Sequence, residues 1–375
     1  MRRAAAGGSG GNLPSPEAYC PLDPMRRRSI AALLLLFLAA APASRAQGLL
    51  PASPPRAGLW SLDLTIDDVG IGLGNSRHVD GLRLNFRDFV PFMVHGISVT
   101  VWAPAKGAGG EVVGLALGLP LTGAGTLRGL GLGFGLSAEG TMDGLHVALF
   151  GAGAGGGLRG VFAGGLGLGT GGDLTGIALG GLGLGAGGDV TGLVVGGLGA
   201  GAGGNVTGIA VGGLGVGAGG QVRGILVGGL GVGAGGDITG LALALGGVGA
   251  GGTLRGLAVA GLGVGAGGGI EGVAIAGLGA GSPRVRGLLV ALAAGGKDVA
   301  GFALAPAYFQ IEPEGSMTGV SISLVNRIRG EQHGLAIGLV NYTPSLHGVQ
   351  IGLVNYAGNN PAGLKILPVL NAHFD

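Results

Sequence analysis

The chain has 375 residues, of which 94 are Gly and 17 are Pro, with 11% charged, 4% aromatic and a formal net charge of +2. Gly does not recur at every third position, which excludes collagen. So few charges and rings exclude an ordinary soluble enzyme core, while 47% hydrophobic residues exclude a solvated, disordered chain.

In chain order, the first feature is an export signal. Met25 is followed by Arg26, Arg27 and Arg28, then by an apolar run from Ile30 to Ala41, then by small residues around Ser44 and Ala46. A positive start, a short apolar stretch and a small-x-small site define a secretory leader. The run of 12 residues from 30 to 41 is shorter than the ~20 needed to span a bilayer. Cleavage after Ala46 is expected, with Gln47 first in the mature chain. Residues 1–24 then read as an over-extended start or a disordered segment, 25–46 as the signal peptide, 47–58 as a linker and 59–375 as one Gly-rich β-repeat domain.

Cleavage removes six bases (Arg2, Arg3, Arg26, Arg27, Arg28, Arg45) from 21 and two acids (Glu17, Asp23) from 19, leaving 15 and 17 and a net charge of −2. A nucleic-acid partner is therefore not expected. The sole cysteine, Cys20, leaves with the leader, so no disulfide, Cys metal site or thiol nucleophile is expected. Cys20 precedes the apolar run and cannot serve as a lipid acceptor.

A repeat follows. Gly144, Gly160, Gly176, Gly192, Gly208, Gly224, Gly240, Gly256 and Gly272 are spaced by 16. The register continues with small length changes through Gly81, Gly96, Gly114 and Gly129 on one side and Gly287, Gly301, Gly319, Gly334, Gly348 and Gly363 on the other, giving 19 units. After each glycine comes apolar, variable, apolar, as in Leu145-His146-Val147 and Val349-Gln350-Ile351. Alternation at period two marks a half-buried strand. The expectation is that the middle residue faces out and its two neighbours face in. Leu214, Val216 and Ala218, alternating with Gly, form a second short strand, with corners at Gly212-Gly213 and Gly219-Gly220. The residue after the second corner is Asp173, Asp189, Asn205, Gln221 or Asp237, and short polar side chains suit turns.

Two architectures use such a unit. In a parallel β-solenoid of about 19 short coils, like residues stack in ladders and the coils extend ~90 Å. In an antiparallel β-meander, or a closed β-barrel built from it, the Gly-Gly pairs are hairpin turns. The fixed register favours the solenoid. Its ends need capping against edge pairing. The polar residues Asp63, Asp67, Asp68, Arg77, Arg83, Arg87 and Asp88 at one end, and Asn326, Asn341, Asn355 and Asn371 at the other, are assigned to that role.

The phrase Gly348-Val-Gln-Ile-Gly-Leu-Val-Asn355, with Gly334-Leu-Ala-Ile-Gly-Leu-Val-Asn341 before it and Gly363-Leu-Lys-Ile366 after it, resembles the bacterial surface-repeat family first named from leptospiral lipoproteins. Val94-His95-Gly96-Ile97 and Val113-Gly114-Leu115-Ala116-Leu117-Gly118 resemble its looser units, so the likeness covers residues 80–375. The resemblance implies an exported envelope or surface protein and no reaction.

Candidate chemistry is sparse. Among the histidines (His78, His95, His146, His333, His347, His373), only His333 and His347 fall one unit apart, and no carboxylate or Cys shares their register. Asp67-Asp68 reads as a solvated turn rather than an acid/base pair, because no partner base is evident. The Gly-x-Gly strings such as Gly183–Gly188 lack the helix and Lys that a phosphate cradle needs. A calcium ladder fails because Gln221, Thr253 and Gly269 replace Asp and the period is not nine. Asn205-Val206-Thr207 matches a glycosylation triplet by chance. The column before each unit glycine (Arg128, Asp143, Arg159, Thr175, Thr191, Thr207, Arg223, Thr239, Arg255, Glu271, Arg286) reads as an exposed strand start. No catalytic, cofactor-binding or metal-binding residue is assigned.

The functional expectation is an exported repeat protein of the bacterial envelope or surface (cell surface, outer membrane or periplasm), non-catalytic and without cofactor. Its partner would be a protein or envelope component, through self-association or outer-membrane contact. The competing expectation is an integral outer-membrane β-barrel or pore, whose lumen should be polar. An enzyme housed in residues 59–110, around Asp67, Asp68 and His95, lacks a nucleophile with its base.

Overall fold

The computed structural model describes residues 60–374, so the leader, Cys20 and the linker lie outside the described residues. Strands and bends account for the described chain, with no helix among these residues. Ordinary coils carry a seven-residue strand and a four-residue strand, such as Val206–Gly212 and Gly215–Ala218. Bends at Gly213-Leu214 and at Gly219-Gly220 separate them.

Between the two terminal strands each strand pairs in parallel with its counterpart one coil on, without slippage in the 16-residue coils and with register shifts only at Gly118/Leu121, Gly133/Gly135 and Gly296/Asp298. Gly192 sits beside Gly208 and Gly208 beside Gly224, while Val216 sits beside Val232. This is a parallel β-solenoid; the antiparallel meander and the closed barrel are excluded. Ladder glycines run from Gly70 to Gly348 with φ between 115° and 150°, nineteen in all and therefore about 18 turns rather than 19 coils. Gly70, not counted among the sequence units, is on the ladder beside Gly81. Gly363 is not: it lies in a turn before Ile366–His373, which runs antiparallel to Ser345–Ala357. The other end is closed likewise by Ser61–Ile66, antiparallel to Val69–Gly74. Both terminal strands thus turn back on the stack, the arrangement an open parallel edge requires.

The facing of the long strand is the reverse of the sequence expectation. Along Val206–Gly212, Val206 and Ala210 are buried, Thr207 and Ile209 are exposed, and Val211 is half-buried. The middle residue faces in and its aliphatic neighbours face out. The interior of a coil therefore holds four side chains, here Val206, Ala210, Val216 and Ala218. Ala210 is 1% exposed, against 39% for Ile209. The reason is phase: strict alternation from the apolar column two residues before each ladder glycine puts the residue two after it on the same, inward side. That column (Val79, Val94, Val112, Leu127, Met142, Leu158 and onward) is buried throughout, and it was the signal available in the sequence. Leu214, assigned to the second strand, instead sits at the corner and is 52% exposed.

In the 16-residue coils positive φ belongs to the ladder glycine inside the long strand and not to the corner pairs. A Cβ on Gly208 would collide with the carbonyl oxygen of Gly192 one coil below. The corner glycine Gly213 is required by crowding alone, since a Cβ there would collide with the carbonyl oxygen of Gly197.

Of the polar residues assigned to the ends, Arg83, Asp88 and the four asparagines are inside, while Asp63, Asp67, Asp68 and Arg77 are exposed. Arg83 and Asp88 are both fully buried and paired, with Arg83 Nε donating to the Ser76 carbonyl at 3.1 Å and the guanidinium 4.3 Å from the centre of the Phe92 ring. Asn326, Asn341 and Asn355 occupy the inward column that holds Val216 and Val232 in the central coils, reached through Ala280, Ala294 and Phe309. Asn326 Nδ2 donates to Asn341 Oδ1 at 2.7 Å, and Asn341 Nδ2 to Asn355 Oδ1 at 2.7 Å. Along the column Asn341 both accepts and donates, Asn355 accepts from it, and Asn326, at the start, donates only, its Oδ1 buried without a partner.

Candidate interaction faces

The stacking of identical coils turns each outward position into a continuous column. Beside the ladder glycine, on the side of Thr207, lies a polar column of Thr and Arg. Arg255 there bridges Asp237 at 3.1 Å and Glu271 at 3.0 Å. The backbone N–H of Thr253, followed by Arg255, holds the Asp237 carboxyl below its usual range, and Glu271 and Asp237 raise the Arg255 guanidinium. The bridges are solvent-facing and contribute little to stability. Arg223 and Arg286 interrupt the threonines, and no regular threonine array results.

At the second corner the polar residues form a ladder of side chain to backbone bonds. Asp173 Oδ1 accepts from Asp189 N at 2.9 Å, Asp189 Oδ1 from Asn205 N at 2.7 Å, and Asn205 Oδ1 from Gln221 N at 2.9 Å. These side chains fasten one coil to the next. Asn205 is engaged in that corner rather than set in a free loop.

The histidines assemble no metal site among the described residues, although His333, His347 and His373 adjoin at one end, His373 standing edge-on to His347 at 6.4 Å. His78 stands 3.8 Å from Asp68 and His95 2.9 Å from Asp80, each exposed. His333 and His347 are neighbours, as their spacing implies, but their rings stack at 4.6 Å with planes 10° apart. Parallel rings direct their nitrogen lone pairs alongside one another, not to one point, and no group of three potential ligands is assembled among the described residues. His146 is different from all of these. It lies in the inward column, 1% exposed, stacked on Phe162 at 5.3 Å. Burial pushes its imidazole below the ordinary value, against the opposing pull of Asp143. Asp67 and Asp68 both take positive φ, 51° and 64°, in the tight turn of the first hairpin. They form a turn, and the base beside them is the exposed His78, 3.8 Å from Asp68.

The largest surface is aliphatic. The residues one and three after every ladder glycine face outward from Ile71 and Leu73 to Val349 and Ile351. Nineteen rows of two carry only Ile, Leu, Val, Phe302 and Ala163, and none of these residues is buried. By contrast the inward residue between them is Gly72, Arg83, Ser98, Gly131, His146, Phe162, Ser321 or Gln350 as well as Ala, Val and Leu, always buried. The interior position varies more from coil to coil than the exposed pair beside it. A third column flanks the pair at the corner: Leu166, Leu182, Leu198, Leu214 and Leu230 are all at least half exposed. The short strand presents two further outward columns of bare glycine, such as Gly215 and Gly217, before the chain re-enters the polar column. Around Gln310 and Glu312 the glycine surface meets a polar wall, with Gly279, Gly281 and Gly295 in the hollow.

The apolar-x-apolar signature was legible in the sequence, but its assignment to the core concealed this surface. No family model, curated protein or solved structure matches the chain.

Proposed function

We propose that this chain is an exported, non-catalytic repeat protein of the bacterial envelope or surface, in which a stiff β-stack presents long uniform faces to a partner. The leader-like pattern from Met25 to Ala46 and the resemblance of residues 334–366 to surface repeats support the address. The role is supported most directly by one observation: nineteen outward rows are apolar while the buried residue between them varies. A surface patch of such length marks an interaction site, whereas a catalytic centre gathers a few convergent polar groups.

The address is tested by expressing the full chain with a C-terminal epitope in a Gram-negative host. The expected outcome is a processed protein beginning at Gln47, recovered with the envelope and absent from the cytosol. An unprocessed chain retained in the cytosol overturns the reading. Substituting Asp67, Asp68 and His95 together is expected to leave the phenotype of the producing strain unchanged, and a loss of phenotype in a folded variant would restore the enzyme class.

A further inference from the structure

We infer that the aliphatic face is the contact surface for a second copy of the same chain, the two stacks lying face to face. The face begins at Ile71 and ends at Val349, each row paired in register with the next. At ~4.8 Å per coil it extends about 85 Å. Two outward residues and the flanking corner make it about 13 Å wide at ~3.3 Å per residue, and the projected area is about 1,100 Å². That exceeds the ~300–600 Å² of the largest apolar patch on an ordinary monomer and passes the ~800 Å² per partner that a stable interface buries.

A second copy is the occupant that the surface chemistry fits. The face is sheet-like and repeats with one spacing, so another copy offers ridges and grooves of the same pitch. A two-fold axis lying in the plane between the two faces sets column against column in an isologous contact, packing as two β-sheets do at ~10 Å. The paired columns contain no Lys or Arg and no Trp or Tyr, the residues by which a surface-bound protein engages lipid headgroups. The threonine and arginine column lies on the other side of the ladder glycine and would rim the contact, as a polar border rims an interface.

The inference concerns the folded stack and does not depend on the envelope address, so its failure is separable from that of the proposed function. Sedimentation of the purified full chain at about 1–50 μM is the direct test, beside the triple variant I177K/I209K/L241K. Those positions lie two coils apart, which separates the new charges by ~10 Å, and all three face outward. The control T175K/T207K/T239K puts the same charge on the polar column. The inference expects a dimer or larger species for the wild type and the control. For the aliphatic triple it expects a monomer with unchanged circular dichroism and an apparent Kd raised at least 100-fold, because lysines cannot be buried unpaired. If that triple fails to fold, the milder L198S/L230S at the exposed corner is expected to weaken association at least 10-fold. A monomeric wild type overturns the inference, as does equal behaviour of the two lysine triples. So does a monomer that floats with phosphatidylethanolamine–phosphatidylglycerol vesicles, which would assign the face to lipid.

Discussion

Glycine serves three different ends here, and only two are imposed by the coil. Gly208 has φ of 126° and is pressed by the coil below, a conformation that a Cβ makes costly. Gly213 is excluded from bearing a side chain by contact alone. Gly217, in the short strand, has nothing within 4 Å of where a Cβ would stand and carries no positive φ. Gly217→Ala is therefore expected to be neutral or to stabilise by up to about 1 kcal/mol, through the unfolded chain. Gly208→Ala is expected to cost about 3 kcal/mol or more. Paired thermal or urea melts separate the two, and equal losses would contradict this sorting. His146 supplies a second test. Its folded pKa is lowered by burial, so the native state binds the proton less readily than the unfolded chain. The stability it confers is complete above the unfolded value near 6.5 and declines as pH falls towards the folded value, by about 1.4 kcal/mol per pH unit. His146→Leu, a residue the same column accepts at Leu226 and Leu289, should flatten the urea midpoint between pH 6.5 and 5.

At the scale of elements, the long and the short strand each supply two of the four interior side chains of a coil, and the short strand closes it. Where that closing column changes from Val to Asn, hydrophobic burial gives way to a line of shared hydrogen bonds. Asn341 accepts from Asn326 and donates to Asn355 and to the Ile351 carbonyl. Asn341→Ala strands buried partners on both sides and is expected to lower stability by about 2–5 kcal/mol. Replacing Asn326, Asn341 and Asn355 together by Val, the residue of the central coils, should cost less than the sum of the three single changes, since no amide is left facing an apolar neighbour. A denaturant series on the four variants reads this; strict additivity would show that the ladder does not act as a unit. The terminal hairpins work at the same scale. Each ends a parallel stack with one antiparallel strand, which presents a different edge from the one that coils recognise.

Across the whole stack, stability is a sum of near-identical coils and the contacts between neighbours. The quantity that must be kept is the 16-residue register. Deleting Val206–Gln221 removes one complete coil and lets Val190 meet Val222 in the same phase. The shortened chain is expected to fold, with strand content per residue unchanged in circular dichroism and a midpoint within a few degrees of the parent. Deleting only residues 206–213 moves inward side chains out of their columns and is expected to abolish cooperative melting. If both deletions behave alike, register is not what holds the stack. The uniform outer face has the same origin: one coil exposes a few apolar atoms, and nineteen rows expose a continuous strip.

Much of this was readable from the residues. The spacing of Gly144 to Gly272 determined a repeat of one strand, a corner, a second strand and another corner. Constant length with ladder-forming positions favoured parallel stacking over a meander or barrel, and the strand pairing decided it. The repeat and its elements are local properties, set by what glycine permits and by the period of an extended chain. The apolar-x-apolar run by itself did not say which side of the long strand was the inside, because Ile209 and Ala210 are both apolar; the apolar column two residues before the ladder glycine, at Val206, carried the phase. What closure of the coil decided is what that inside contains: two facing strands enclose Val206, Ala210, Val216 and Ala218, and in other coils the same middle position takes Arg83, His146, Phe162 or Leu226, while the aliphatic pair is left outside. The same closure turned Asn326, Asn341 and Asn355 inward, where stacking gives each amide a partner that a single coil could never supply.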